Sequence, residues 1–273
     1  MQDIIIVRGA GDLASAVIHK LNICGFKVVA LEVEKPLAIR RYVSFCEAVY
    51  EKEVIVQGVH CKLCEDISEI YEVLKDNKVA LVVDPLGSYI KKLKPKIVID
   101  AIIAKTNIGT NKKMADLTIA LGPGFCAGVH VDIVIETMRG HNLGKIIKEG
   151  YALKNTGVPG SINGVSKERV IYSKCGGIIT NLANIGDIVK KNQIIAYIND
   201  KNDVKHEVRA SIHGVLRGII RDKSNIVDKL KILDIDPRID EVENCYTISD
   251  KARCIAGSVL EVVVAYFNKI NKL

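Results

Sequence analysis

The sequence predicts an α/β protein with three parts: a mostly parallel sheet domain over residues 1–150, a small all-β domain over 151–240, and a C-terminal helix over 241–273. Three observations support this prediction. Continuous apolar runs alternate with helical patterns in the first part, as the buried strands of parallel sheets do. Short strands with a duplicated pattern follow. The chain then ends in a helical stripe of apolar residues, which we expect to pack back on the body.

The first strand leads directly into a glycine-rich turn. The apolar run Ile4–Val7 is followed by Gly9–Gly11, and a helical pattern then begins. Gly9, Gly11 and Ala14 supply small residues at a regular spacing. The spacing fits G-x-G-x-x-G/A, the fingerprint of a Rossmann-like dinucleotide-binding turn. The glycines allow a tight turn and close approach of a pyrophosphate, and the helix N-terminus offers free N–H groups to an anion. A strand–turn–helix with no ligand is the alternative.

Two acidic residues lie beside this predicted turn. The second apolar run, Val28–Leu31, ends in Glu32, which is the acid expected about 20 residues after the fingerprint. Asp12 sits where a bound phosphate would come close. An acid there suits the positive end of the helix dipole but repels an anionic ligand. Asp12 therefore binds a metal or a ligand hydroxyl, or it caps the helix.

Further residues are expected beside the glycine-rich turn, at the carboxyl ends of the parallel strands. The runs Ile97–Ala101 and Leu117–Leu121 predict two more parallel strands, and Lys105 and the Gly122–Gly124 turn follow them. Ligands of such sheets bind outside the carboxyl ends of the strands. Each of these residues can also be an ordinary loop residue.

Arg40 and Arg41 follow a proline-marked segment and are natural partners for phosphate, with a solvated basic turn as the alternative. The predicted ligand-binding residues share a position at or near the carboxyl ends of the strands. They are Gly9, Ala10, Gly11, Asp12, Leu13, Glu32, Arg40, Arg41, Lys105, Gly122 and Gly124.

Composition excludes several classes of function. The net charge of +7 favours anionic small ligands or acidic partners, but the chain has no dense Lys/Arg block, and aromatic residues make up only 5% with no Trp. We therefore expect no nucleic acid as partner. No apolar run reaches membrane-spanning length and no signal peptide is evident, so we expect a cytoplasmic protein.

The eight cysteines are expected to be reduced thiols. Cys61 and Cys64 form a single C-x-x-C pair. A structural zinc site needs about four ligands, and the sequence has no second such pair, so we expect no metal site. Metal or redox use of the pair and two ordinary loop thiols are the two alternatives.

The all-β part resembles the barrel-sandwich hybrid of lipoyl and biotinyl domains. Ile185–Gln193 resembles the turn of those domains, and Val208–Leu216 resembles the strand that follows it. Lys205 lacks the Met-Lys-Met context of a biotin carrier, so no swinging covalent arm is expected. We expect this module to dock a partner or to cover the ligand crevice expected at the carboxyl ends of the parallel strands.

A further resemblance runs over essentially the whole chain. It rests on an ordered series of motifs: Val7–Ala14, Pro36–Arg41, Asp100–Lys105, Leu121–Phe125, Val134–His141, Asn155–Gly160 and Ile248–Ala252. With these motifs the chain resembles the YqeB-type accessory proteins of the selenium-dependent molybdenum hydroxylase system. Its first segment is also similar to the Rossmann part of XdhC-type molybdenum cofactor chaperones.

This resemblance implies a maturation factor that binds molybdopterin dinucleotide, or a selenium-bearing precursor of it, at the glycine-rich turn. The dinucleotide carries the pyrophosphate that such a turn would hold, and the hydroxylase apoenzyme would be the partner. Handling of selenium would need a thiolate near the crevice. Cys126 and Cys245 are the candidates, with burial as inert thiols the alternative.

Two other functions fit the same sequence. An NAD(P)-dependent oxidoreductase is compatible with the fingerprint and with Glu32, although Asp12 fits it poorly. A non-catalytic scaffold would dock the hydroxylase through the β module. Whether the protein is an enzyme, with Asp12, Cys126 or Cys245 as the reacting group, and whether it forms a homo-oligomer, stay open at this point.

Overall fold

A computed structural model describes residues 3–157 and 160–270. These residues form two compact units. The first comprises Ser44–Asn155 together with the segments that end at Pro36 and begin at Ile248. The second comprises Leu37–Val43 and the segment from Thr156 to Thr247. Val158 and Pro159, which belong to one of the motifs named above, lie outside the described residues.

The first unit contains a nine-stranded sheet. Its strands are β1 (Ile4–Arg8), β2 (Lys27–Glu32), β3 (Glu53–Val56), β4 (Val59–Leu63), β5 (Val79–Val83), β6 (Ile97–Asp100), β7 (Leu117–Leu121), β9 (Ile133–Ile135) and β10 (Ile146–Ile147). A separate two-stranded sheet pairs β8 (Cys126–Ala127) with β11 (Gly150–Tyr151). The α-helices are α1 (Asp12–Ile23), α2 (Ala48–Glu51), α3 (Ile67–Lys75), α4 (Ser88–Leu93) and α5 (Asp250–Ile270).

The strand order of the large sheet is β10-β9-β7-β6-β1-β2-β5-β4-β3. The seven inner strands are parallel, whereas β3 and β10 at the two edges are antiparallel to their neighbours. β1 pairs with β2 on one side and β6 on the other. The strands β2 to β5 lie on one side of β1, and the later strands β6, β7, β9 and β10 lie on the other side, so the strand order reverses at β1.

Local sequence explains the central elements of this unit. Ile5, Ile6 and Val7 in β1 are fully buried, as expected for a strand covered on both faces. The helix α3 begins with a capping box, in which the Asp66 carboxylate accepts the Glu69 N–H and the Glu69 carboxylate accepts the Glu65 N–H. The terminal helix α5 packs against α1 through a buried apolar stripe.

The second unit is built from two four-stranded antiparallel sheets, ordered β12-β19-β17-β14 and β16-β15-β13-β18. The strands are β12 (Val170–Tyr172), β13 (Gly177–Asn181), β14 (Ile188–Val189), β15 (Ile194–Asn199), β16 (Lys205–Arg209), β17 (Gly214–Ile219), β18 (Asn225–Ile226) and β19 (Lys231–Asp236). Both sheets contribute buried aliphatic residues to one hydrophobic core, among them Ile179, Ile195, Leu216 and Ile235.

The predicted fold class, a Rossmann-like domain followed by a barrel-sandwich-hybrid-like domain, is wrong. The large sheet is mixed, and its connections from β6 to β7 and from β7 to β9 contain no α-helix within the described residues, only a short 3₁₀ turn at Lys112–Met114 and the two-residue strand β8. The second unit consists of two separate sheets and is not a barrel. Periodicity located many of the strands, but strand pairing depends on contacts far apart in sequence.

Candidate functional site

The two glycines of the turn after β1 have different roles. Gly9 has φ +94°, and a Cβ there would lie 3.0 Å from the Ala101 carbonyl oxygen, in the segment that follows β6. A side chain at Gly9 would therefore be strained and would push against backbone. Gly11 has φ −74°, and a Cβ there would meet nothing within 4 Å. The second glycine thus leaves open space beside the turn.

The Glu32 side chain closes onto this turn from the end of β2. One carboxylate oxygen accepts the Ala10 N–H at 2.8 Å, and the other accepts the Val33 N–H at 2.8 Å. Burial raises the pKa of Glu32, while the two backbone hydrogen bonds act in the opposite direction. The carboxylate is therefore held in one place, and each oxygen keeps a further lone pair for another donor.

Three turns at the carboxyl ends of β1, β6 and β7 lie side by side. The first contact is the approach of Gly9 to Ala101. The second is between Gly124, with φ +108°, and Lys105, because a Cβ on Gly124 would lie 2.8 Å from the Lys105 carbonyl oxygen. The structure therefore brings together the backbones of three segments that contain predicted site residues. The Lys105 side chain is exposed.

The remaining predicted residues have varied surroundings. Asp12 and Leu13 form the first turn of α1 and are partly buried, and the N-cap residue of this helix is Gly11. Arg40 and Arg41 belong to the second unit. Arg40 donates to the Asn244 and Thr247 carbonyls at 2.8 and 2.7 Å, and Arg41 donates to the Ile219 carbonyl at 3.0 Å.

The structure also shows a buried polar cluster that the sequence analysis did not find. Arg8, at the end of β1, is 2% exposed and donates to the Thr110 hydroxyl at 2.5 Å and to the Pro85 carbonyl at 3.2 Å. The Thr110 hydroxyl donates to Asp100, at the end of β6, at 2.5 Å. Burial raises the pKa of Asp100, whereas hydrogen bonds from Thr110 and from the Ile102 N–H, and the Arg8 charge, act to lower it. The sequence does indicate this cluster in one way, because Arg8 and Asp100 are charged residues that each end an apolar run.

The two cysteines predicted as candidate thiols are both buried. Cys126 lies in β8 of the first unit and is 9% exposed, and its N–H donates to His130 Nδ1 at 3.0 Å. Cys245 is 1% exposed in the second unit, and burial raises its pKa.

Within residues 3–157 and 160–270, no group of three or more His, Cys, Asp or Glu side chains could hold a metal ion. In the same residues, no helix has both the length and the apolar character that crossing a bilayer requires.

The fold and this geometry define a two-unit α/β protein with a glycine-rich turn and a fixed carboxylate at the carboxyl ends of its parallel strands. No family model matches the chain. The chain is 45% identical over 261 residues to the Escherichia coli (strain K12) protein described as "Uncharacterized protein YqeB", which supports membership of the YqeB family. This match covers 96% of the chain but 47% of the relative, so the chain spans about half the length of the curated relative it matches.

Several solved structures are similar to the chain at a low level. The product-bound ectoine utilization protein EutE (DoeB) from Ruegeria pomeroyi has a TM-score of 0.27 and 11% identity, with 86% of this chain and 85% of that chain covered. A succinylglutamate desuccinylase from Silicibacter sp. TM1040 has a TM-score of 0.26 and 10% identity, covering 86% and 84%. An aspartoacylase family protein from Mesorhizobium loti has a TM-score of 0.28 and 10% identity, also covering 86% and 84%. At these TM-scores, the activities in those names are not transferred to this chain.

The predicted function needs correction. The solved structures named above are described as ectoine utilization, desuccinylase and aspartoacylase proteins, and nothing in the comparisons supports molybdenum, selenium or Rossmann-type nucleotide binding. The prediction of a maturation factor for selenium-dependent molybdenum hydroxylases, with its oxidoreductase and scaffold alternatives, is therefore wrong. The geometry agrees, since Glu32 already occupies the Ala10 N–H at the turn. The XdhC-like start and the selenium-dependent system are not confirmed by the YqeB relative.

Proposed function

We propose that the first unit binds a small uncharged molecule rich in hydroxyl groups, such as a polyol or a sugar, at the carboxyl ends of β1, β2 and β6. The observation behind this proposal is the Glu32 carboxylate, which the Ala10 and Val33 N–H groups hold at 2.8 Å each. Because the side chain is already fixed, little conformational freedom is lost when a ligand binds to it. Its remaining lone pairs accept hydrogen bonds from hydroxyl groups.

The position of Glu32 in the sheet supports a binding role. Ligands of open parallel sheets bind outside the carboxyl ends of the strands, where the strand order reverses. In this protein that point is β1, between β2 and β6. Gly11 lies directly after β1 and leaves open space within 4 Å of its missing Cβ. A ligand can therefore approach the backbone next to Glu32.

The charge at the turn favours an uncharged ligand over an anion. A phosphate placed against Gly9–Gly11 would meet the Glu32 carboxylate, and two like charges in a partly buried site repel each other. The same phosphate would find the Ala10 N–H already bonded. A ligand hydroxyl avoids both problems, since it donates to the carboxylate.

The test is equilibrium dialysis of the full chain against a polar metabolite extract, with mass spectrometry of the retained compounds. The wild-type protein is expected to enrich a hydroxyl-bearing compound. Glu32→Gln replaces one acceptor oxygen by an NH₂ group, so enrichment should fall by about tenfold or more. Glu34→Gln is the matched control, because Glu34 is exposed two residues away and loses the same charge. No enrichment by the wild-type protein, or equal enrichment by both variants, would contradict the proposal.

A further inference from the structure

The first unit has a cavity of about 980 Å³ away from Glu32 and the glycine-rich turn. Its walls are the helix α4, the connection 94–96 that follows it, and the segment 111–116. None of the residues Gly9–Gly11 or Glu32 lines it. The 111–116 segment belongs to the connection from β6 to β7, where a parallel crossover usually supplies an α-helix that covers the sheet. Here the short 3₁₀ turn at Lys112–Met114 replaces such a helix, and the cavity beside it is an open groove.

The lining of this groove is strongly positive. Four lysines and one acidic residue, Asp116, line it, and Asp116 forms an ion pair with Lys96 at 3.0 Å. The other three, Lys91, Lys94 and Lys113, have no ion-pair partner among the residues that the structure describes. Three positive charges therefore face one opening without compensation from this part of the chain.

The same groove has apolar walls. Ile90 of α4 is buried, and the groove is also lined by Pro95 and Met114. The volume is at the upper end of the range of about 300–1,000 Å³ typical of small-molecule sites. An occupant with both an anionic group and an apolar body would match these two kinds of surface.

We propose that this groove binds a small anion with an apolar body, whose phosphate or carboxylate group is held by Lys91, Lys94 and Lys113. Lysine ammonium groups are compact point charges that suit phosphate and carboxylate oxygens. Because all three side chains are exposed, the attraction is screened by salt. This groove does not include Glu32 or the Gly9–Gly11 turn, and it takes an anion, whereas the ligand proposed for Glu32 is uncharged.

The test is calorimetric titration of the full chain with four probes: 1-naphthyl phosphate, 1-naphthoate, inorganic phosphate and 1-naphthol. The wild-type protein is expected to bind one of the two naphthyl anions more tightly than it binds inorganic phosphate or 1-naphthol, and the better of the two identifies the anionic group. The variant Lys91→Gln/Lys94→Gln/Lys113→Gln should weaken that binding by about tenfold or more, as should an increase in salt from about 50 to 300 mM.

The control variant is Lys35→Gln/Lys62→Gln/Lys148→Gln, which removes the same charge from three exposed lysines of the first unit outside the groove. It should change the affinity by less than about twofold. Circular dichroism melting checks that both variants are folded. Equal weakening in the two variants, binding of 1-naphthol as tightly as the naphthyl anions, or no binding of any probe at millimolar concentration would overturn the proposal.

Discussion

The Glu32 carboxylate accepts the Ala10 N–H at 2.8 Å and so joins the end of β2 to the glycine-rich turn after β1. These two strands are neighbours in the sheet, which places an acid and a turn that are 22 residues apart in sequence within hydrogen-bonding distance. Glu32 is therefore part of the structure of the turn. A ligand that approaches Gly11 must be complementary to a carboxylate.

Removal of the Glu32 carboxylate should destabilise the protein. Glu32→Ala leaves the Ala10 and Val33 N–H groups without their acceptor, and an unsatisfied partly buried donor costs about 1–3 kcal/mol. We expect the free energy of unfolding, measured by urea denaturation, to fall by about that amount. Glu34→Ala should change it by less than about 0.5 kcal/mol. An equal effect of the two substitutions would show that the Glu32 hydrogen bonds do not stabilise the turn.

The pKa of Glu32 should lie above that of an ordinary glutamate, because burial disfavours the charged form. The folded protein then binds this proton more tightly than the unfolded chain does. The contribution of Glu32 to the free energy of unfolding falls as pH rises from the unfolded pKa to the folded pKa, and is constant above it. Carbon-13 NMR of the side-chain carboxyl measures the midpoint directly. A midpoint at or below the ordinary value of a glutamate side chain would contradict the prediction.

The two glycines of the turn should respond differently to alanine. Gly9→Ala forces a side chain into φ +94° and against the Ala101 carbonyl, so it should lower the free energy of unfolding by about 1–3 kcal/mol. Gly11→Ala meets open space and should change it by less than about 1 kcal/mol. The added methyl group should nevertheless reduce retention of the enriched compound in dialysis. An unchanged free energy of unfolding in Gly9→Ala would contradict the first prediction. Unchanged retention of the compound by Gly11→Ala would contradict the second.

Arg8 should matter for stability because it compensates a buried acid. Its guanidinium lies 3.9 Å from Asp100, and the Thr110 hydroxyl links the two groups. Arg8→Met leaves Asp100 buried without its cation, which costs about 3–5 kcal/mol. The double variant Arg8→Met/Asp100→Asn removes both charges and should recover part of that loss in urea denaturation. A double variant that is less stable than Arg8→Met would show that the Arg8 charge is not what Asp100 needs.

The thiols should differ in reactivity according to burial. Cys24 and Cys254 are exposed, whereas Cys126 and Cys245 are buried. We expect a maleimide reagent to label the exposed pair rapidly and the buried pair only slowly in the folded protein, since a thiolate must be accessible to react. Mass spectrometry of peptides gives the rate at each site. Rapid labelling of Cys126 or Cys245 would contradict this expectation and would favour thiol chemistry at these residues.

Local sequence predicted many elements of the first unit. Apolar runs correctly located β1, β2, β6 and β7, because a strand buried on both faces has a nearly continuous apolar sequence. The capping box of Asp66 and Glu69 at the start of α3 is likewise a local feature of the sequence. These features depend only on residues that are neighbours in the chain.

Strand pairing and side-chain contacts could not be predicted in the same way. The mixed edges of the large sheet, the helix-free connections after β6 and the two separate sheets of the second unit all depend on distant contacts. The bonds of Glu32 to Ala10, and of Arg8 to Thr110, exist only because strand ends meet at one edge of the sheet. The predicted function was wrong because a glycine spacing and a resemblance do not reveal that the Glu32 carboxylate accepts the Ala10 N–H at the turn.

The most direct measurement is the pKa of the Glu32 carboxyl, by carbon-13 NMR, with and without the compound that dialysis enriches. If ligand hydroxyl groups donate to this carboxylate, they stabilise its charged form, and the pKa of Glu32 should fall when the compound binds. An unchanged or raised pKa of Glu32 in the presence of the bound compound would show that Glu32 does not accept the ligand, and would contradict the proposed function.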